Sequence, residues 1–523
     1  MKRRTFLQSA AAVVAAPSIV RAQSASTLKF IPYADLALLD PLVSAFVTRN
    51  HILMVFDTLY SLDADGNPQP QMIAGAVTEE DGKLWKLTLR DGLKFHDNTP
   101  VLGRDVVASL KRWAIRDAYG QALMDATDEV SAPSDKVVQF RLKRPFPLLP
   151  NALAKPTNLM AAIMPERLCA TPPGRLTEMV GSGPLQFVAD ERVPGARNVW
   201  KKFAGYVPRP DGKVSFTAGP RIVNFDRIEW ITTPDPSTQV SALQSGEVDW
   251  VEQPVMDLVP MLGKDSNLGL KVLETSGLIG VLRFNFLHPP FDNPKIRQAV
   301  LKAVNQRDYM VAVAGENGAV LDTQVGIFSP GMPMATDAGM EVLSGKHDPA
   351  ALKKEIMDAG YKGERVVLLT ATDVPRINAI CEVGAAMLRG IGLNVDDVST
   401  DWGTVVQRIN KPDPVDNGGW SIFGSFWGGW DFMNPAGHLA LRGIGMGGWN
   451  GWPTMPEIET LRSAWLTAPD LASEKEIATK IQLQAWQDVP FLPLGSYQQP
   501  SAYRKGLVDI MPGLPMFTSV KRG

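Results

Sequence analysis

Cysteine is almost absent: the 523 residues hold only Cys169 and Cys381. That scarcity excludes a disulfide framework and a cysteine-based metal site. Two lone thiols far apart in sequence are ordinarily small buried apolar groups. Histidine is nearly as scarce, and His51, His96, His288, His347 and His438 include no pair at a helical metal-ligand spacing. A basic excess is missing too. Lys plus Arg is 53 against 55 for Asp plus Glu, a formal charge of −2, which argues against nucleic acid as a partner. Beyond the N-terminus no stretch reaches about 18 uninterrupted apolar residues, so no membrane-spanning helix is expected. Charged residues at 21% and hydrophobic ones at 45% match a folded globular chain rather than a disordered one. The length suggests about three domains or two large lobes.

Catalytic signatures are absent as well. No G-x-S-x-G elbow occurs. Ser26 and Lys29 match S-x-x-K, but at a place where the chain has barely begun. Gly443, Gly445 and Gly448 match G-x-G-x-x-G, yet Trp449, Asn450, Gly451, Trp452 and Pro453 follow. Without a helix there, no row of free N–H groups is available to hold a pyrophosphate. Paired carboxylates facing one another across a cleft stay open, since spacing alone does not reveal them. The expectation is a protein that is not an enzyme and needs no cofactor.

The N-terminus has the pattern of an address. Lys2, Arg3 and Arg4 precede an apolar stretch over residues 6–20, and Val20-Arg21-Ala22 carries the small residues a signal peptidase needs. Residues 3–7, RRTFL, resemble a twin-arginine export signal, with ordinary Sec export as the alternative. Residues 1–22 are therefore assigned as an export signal. The mature chain would begin near Gln23 and work in the periplasm, free of a lipid anchor because no lipobox cysteine is present.

Strands and helices interleave along the mature chain, which makes the class α/β. Residues 84–90 alternate apolar and polar and run into an Asp91-Gly92 turn. Val138, Phe140 and Leu142 alternate likewise. A helix after Pro294 places Ile296, Ala299, Val300 and Ala303 on one stripe. Pro349 opens another, with Gly360 at its C-terminal end. Residues 366–370, 377–389 and 393–398 read as strand, helix and strand, a right-handed βαβ unit with a parallel pair. Ser473 and Glu476 form a capping box ahead of Ile477.

Several of these stretches together resemble one family. Residues 87–113, with LRDGLKFHDNTPVLGRDVVASLKRW, resemble the signature segment of solute-binding protein family 5 of ABC importers, the oligopeptide, dipeptide and nickel-binding group. Four further stretches follow in the family's order: Gly181-Ser182-Gly183-Pro184; LQSGEVD at residues 243–249; residues 285–304 with P-P-F and R-Q-A; and residues 348–361. Leu102 and Asn98 depart from the usual Thr and Gly. Asn98 tolerates positive φ, whereas Leu102 leaves the helix at Asp105 needing another N-cap acceptor. Phe95, Val106 and Leu110 are read as core.

The resemblance implies a two-lobed, type II periplasmic binding protein with an extra inserted subdomain and a ligand cleft between the lobes. Residues 23–60 and 181–275 would build lobe I, with 61–180 inserted into it. Lobe II would run over 276–485, and 486–523 would return to lobe I. Expected partners are a small-molecule or peptide ligand and the permease subunits of an ABC importer in the inner membrane, with the binding protein itself a monomer. A nickel or haem carrier and an exported hydrolase are the alternatives; clustered Met or His would favour the carrier, and Met332 and Met334 are close in sequence.

Residues 419–435 read GWSIFGSFWGGWDFMNP, with Trp420, Phe426, Trp427 and Trp430 spaced by glycine. Glycine permits close approach, and the rings offer rigid contact area and a face for a cation. Asp431 matches the family Asp that pairs with a ligand's amino group, while a later family Asp is Asn434 here. Ala371 and Asp373 fall where dipeptide-binding members carry an Arg and a Tyr, so the usual carboxylate clamp is missing. Arg376, one turn further on, and Arg283, within an apolar strand, are the candidate replacements. Asp431, Trp427, Trp430, Phe426, Trp420, Arg376, Asp373 and Arg283 make up the expected ligand-binding set.

Overall fold

The structure is a computed structural model that describes residues 26–43, 45–157, 159–316 and 320–523. The export-signal assignment at residues 1–22 lies outside the described residues.

Two sheets organise the chain. The first has seven strands in the order 268–272, 500–504, 250–251, 27–31, 227–231, 197–202 and 185–187. Thr27–Ile31 pairs in parallel with Arg227–Ile231 and with Trp250–Val251, and the remaining ladders are antiparallel. Its inner face is aromatic. The Phe30 ring sits 5.6, 5.2 and 4.9 Å from those of Trp230, Trp250 and Phe517, a cluster whose area burial anchors both ends of the chain to one face.

The second sheet has six strands in the order 321–322, 491–497, 278–284, 422–428, 365–371 and 394–400. Every residue of Leu278–Phe284, Ile422–Gly428 and Phe491–Tyr497 is buried. Strands covered on both faces lose the polar alternation of a half-buried strand. The βαβ unit forms as expected, with Arg365–Ala371 parallel to Asn394–Thr400 and the helix Pro375–Gly390 between them.

A four-stranded antiparallel sheet, 73–79, 84–89, 137–142 and 127–134, is packed by the helix Gly103–Trp113. The family-like motifs serve this architecture. Phe95, Val106 and Leu110 are buried, and Asn98 has φ 67°. A Cβ on Gly181 would stand 2.0 Å from the Val55 carbonyl oxygen, so only glycine lets this loop close on the end of the helix Phe46–Val55. In place of a Thr cap, Asp105 Oδ2 accepts from the Leu102 N–H at 2.9 Å and Oδ1 from the Glu166 N–H at 2.9 Å.

Two boundaries differ from expectation. The helix expected to open at Ser473 begins at Leu471, because Asp470 accepts from the Ser473 N–H at 2.8 Å and caps it one turn earlier. The return placed at residue 486 falls inside that helix, which ends at Asp488, and Phe491–Tyr497 still belongs to the second sheet. The chain crosses from the second sheet to the first at residues 498–499, between the strands ending at Tyr497 and starting at Pro500.

Candidate functional site between the two sheets

Asp431 lies in the short turn Gly429–Phe432 that leaves the end of the buried strand Ile422–Gly428. The turn needs glycine: a Cβ on Gly429 would meet the Ser276 carbonyl oxygen at 2.3 Å, and the Gly429 N–H donates to the Gly277 carbonyl at 3.0 Å. Held this way, the Asp431 carboxylate is buried and accepts one hydrogen bond, from the Gly428 N–H at 3.2 Å. Burial pushes its pKa up to about 6, opposed by the charges of Arg49 and Lys155 and assisted by Glu274.

Arg49 reaches this turn from the opposite lobe. It lies on the helix Phe46–Val55, all ten residues of which are buried. Its guanidinium stands over the Phe46 ring at 4.9 Å. Among the described residues it makes no side-chain hydrogen bond, and its Nε is buried without a partner. Glu274 Oε2 is likewise buried and unpartnered, while its Oε1 accepts from the Ser276 N–H and Oγ–H. The neighbouring Glu252 differs, since it accepts from the Tyr33 N–H at 2.9 Å and from Asn50 Nδ2 at 3.0 Å.

A second group of contacts joins the lobes. Arg376 Nη1 donates to Gln253 Oε1, and the guanidinium lies 4.9 Å from the Tyr33 ring and 5.6 Å from the Phe426 ring. Trp430 stacks on Phe216 at 4.5 Å with the planes 17° apart. Beside Trp430 a small cleft is lined by Trp430, Asp431, Asn434, Tyr119 and Lys155, among others. Lys155 is paired with Asp117, and the Tyr119 hydroxyl is buried without a hydrogen-bond partner among the described residues.

Of the expected set, Asp431, Trp430, Phe426 and Arg376 come to the boundary between the lobes. Trp427 is buried edge-on to Trp449 at 5.1 Å, with its Nε1 unpartnered. Trp420 is fully buried against Phe423 and Trp452 and is part of the lobe core. Asp373 is exposed and accepts from the Trp402 N–H at 2.8 Å, tying its loop to the next helix. Arg283 was expected to face water or a cleft and does neither. It is 0% exposed and donates to the carbonyls of Asn450, Ala440 and Pro490 at 2.8–2.9 Å. Burial lowers its pKa to about 9. Trp420, Asp373 and Arg283 thus hold structure in this arrangement. Arg49, Glu274 and Lys155 were missed by the sequence reading. The signal for Arg49 was a charged residue within the polar tetrad Thr48-Arg49-Asn50-His51, flanked by apolar residues on both sides in FVTRNHILMV.

Among the described residues no group of three His, Cys, Asp or Glu side chains is placed to hold a metal, and no helix is long and apolar enough to cross a membrane. Residues 67–442 match the model of the bacterial extracellular solute-binding proteins, family 5. The chain belongs to that family. Family 5 is a family of ABC-transporter solute-binding proteins, and this chain is a two-lobed member of it. It is 37% identical to the probable peptide ABC transporter periplasmic-binding protein y4tO of Sinorhizobium fredii, covering 98% of this chain and 97% of that one. It is 25% identical to the glutathione-binding protein GsiB of Salmonella typhi, covering 87% and 86%. In three dimensions it matches the binding protein AgaA of A. tumefaciens R10, solved with agropinic acid, with a TM-score of 0.79 at 22% identity over 95% and 99% of the two chains. These relatives are binding proteins rather than enzymes.

Proposed function

We propose that this family 5 protein captures a peptide-like or amine-bearing solute between its lobes in the periplasm, without turning it over, and delivers it as a monomer to the permease subunits of an ABC importer. The observation that carries the ligand class is Asp431: a buried carboxylate with one hydrogen bond, facing a cleft walled by Trp430. Desolvating a carboxylate costs several kcal/mol unless a partner arrives, and an ammonium group is the partner that an acid beside aromatic faces suits best. The names of y4tO and GsiB, a peptide and a glutathione binder, support the same class. Residues 273–277 and 498–499, where the chain passes between the sheets, would serve as the hinge. The residues 1–22 would direct export, by the twin-arginine route.

Thermal-shift titration with di- and tripeptides, glutathione, free amino acids and polyamines tests the reading. A ligand that binds only the folded state adds about 2.7 kcal/mol at a hundredfold excess over Kd. At least one amine-bearing compound should raise the melting temperature and be recovered unchanged. Steady conversion of that compound by pure protein would overturn the reading.

A further inference from the structure

Arg49 and Asp431 come from different lobes and meet at one glycine. The position a Cβ would take on Gly428 lies 3.5 Å from Asp431 Oδ2 and 3.9 Å from Arg49 Nη1. The two charged groups are thus neighbours, yet no ion pair joins them, and Arg49 has no side-chain hydrogen bond among the described residues. Arg49 is only 7% exposed, and its Nε is buried without a partner. Glu274 Oε2, buried and unpartnered, adds a second acceptor to the same neighbourhood, since its charge is felt at Asp431. The site therefore sets a guanidinium with no side-chain hydrogen bond among the described residues beside Asp431, which accepts only from the Gly428 N–H, and Glu274, whose Oε2 has no donor.

We propose that this pair recognises a zwitterionic head: an α-carbon carrying both a free ammonium and a free carboxylate, with the ammonium on Asp431 and the carboxylate on the Arg49 guanidinium. Resting on the solute-binding reading above, this deepens the ligand class. The N-terminus of an ordinary peptide has an ammonium beside a neutral amide and leaves Arg49 unpaired. A free amino-acid head, or a glutamyl residue linked through its side chain, satisfies both. One α-carbon spans the gap with a charge-assisted hydrogen bond of about 2.8 Å at each end. Arg376 is not available for the same task in this arrangement, because it is already bound to Gln253 across the lobes. Arg49 also carries a consequence for closure, since only a closed molecule brings both halves of the recognition together.

The probes are γ-glutamylalanine and its α-carboxamide, in which the glutamyl α-carboxylate is replaced by –CONH2, with Ala-Ala, amidated at its C-terminus so that it carries no carboxylate, as a plain ammonium ligand. Calorimetry should show the acid binding at least tenfold tighter than the amide. Arg49→Gln should erase that preference and leave Ala-Ala unchanged, while Arg49→Lys should keep part of it. Asp431→Asn should weaken all three. Equal Kd for acid and amide on the wild-type protein, or an unchanged preference in a folded Arg49→Gln variant, would overturn the inference, as would failure of both γ-glutamyl compounds to bind. The two readings fail separately: Ala-Ala binding that depends on Asp431 keeps the ammonium site even where Arg49 proves idle, whereas indifference of every probe to Asp431→Asn removes both.

Discussion

At the scale of single residues, burial separates charges that build the fold from charges free to meet a ligand. Arg112 with Asp40 and Arg221 with Asp57 are buried ion pairs with N–O distances of 2.8 and 2.9 Å, and Arg283 donates to three carbonyls through Nε and Nη1. Arg283→Ala would orphan those carbonyls, so about 3 kcal/mol of stability should be lost, read as a lower urea midpoint, with ligand affinity of the folded fraction unchanged. Asp431 behaves the opposite way. Its folded pKa of about 6 lies above the ordinary aspartate value near 4, so the unfolded chain releases the proton first. Stability from this group is therefore full below about pH 4 and is lost as pH rises towards 6. Asp431→Asn should add stability on the order of 2–3 kcal/mol to the ligand-free protein at pH 7.5, read as a higher melting temperature, and leave it unaltered at pH 4. No gain at pH 7.5 would mean that the carboxylate is better solvated than its burial implies. Binding of an ammonium ligand needs the ionised form, so affinity should fall as pH drops through about 6.

At the scale of elements, local chemistry was legible wherever a segment fixes its own geometry. The βαβ unit, the helix at Pro294, the Asn98 turn and the half-buried strand at residues 84–89 all follow from patterns within a dozen residues. What the sequence concealed depends on partners distant in the chain. Arg283 and Arg376 look alike in sequence, yet one is enclosed by a loop some 160 residues away and the other points at Gln253 of the opposite lobe. Arg49 was overlooked because its helix is apolar at six of its ten positions and reads as core. The glycine-spaced aromatic segment announced a close approach, but not that Trp420 faces inward while Trp430 faces Phe216. Its glycines give a test of their own. Gly429→Ala must push the turn off Ser276 and displace Asp431, so it should weaken ligand binding at least tenfold; unchanged affinity would show that the turn has room to move.

At the scale of the whole molecule, the chain crosses between its sheets at two places, and buried apolar side chains of both sheets belong to one continuous cluster. Arg376 on Gln253 and Trp430 on Phe216 are contacts that must break when the lobes part. Arg376→Ala should therefore shift the ligand-free protein towards an open form and lower affinity by reducing the population competent to bind, without lowering the stability of either lobe. The account as a whole stands on closure around a solute. Small-angle X-ray scattering, with and without a saturating amount of the compound selected by thermal shift, tests this most directly. The account predicts a smaller radius of gyration with that compound bound and the compound recovered intact. An unchanged radius at saturation would contradict it, because the residues that converge here come from both lobes and cannot engage one ligand without bringing those lobes together.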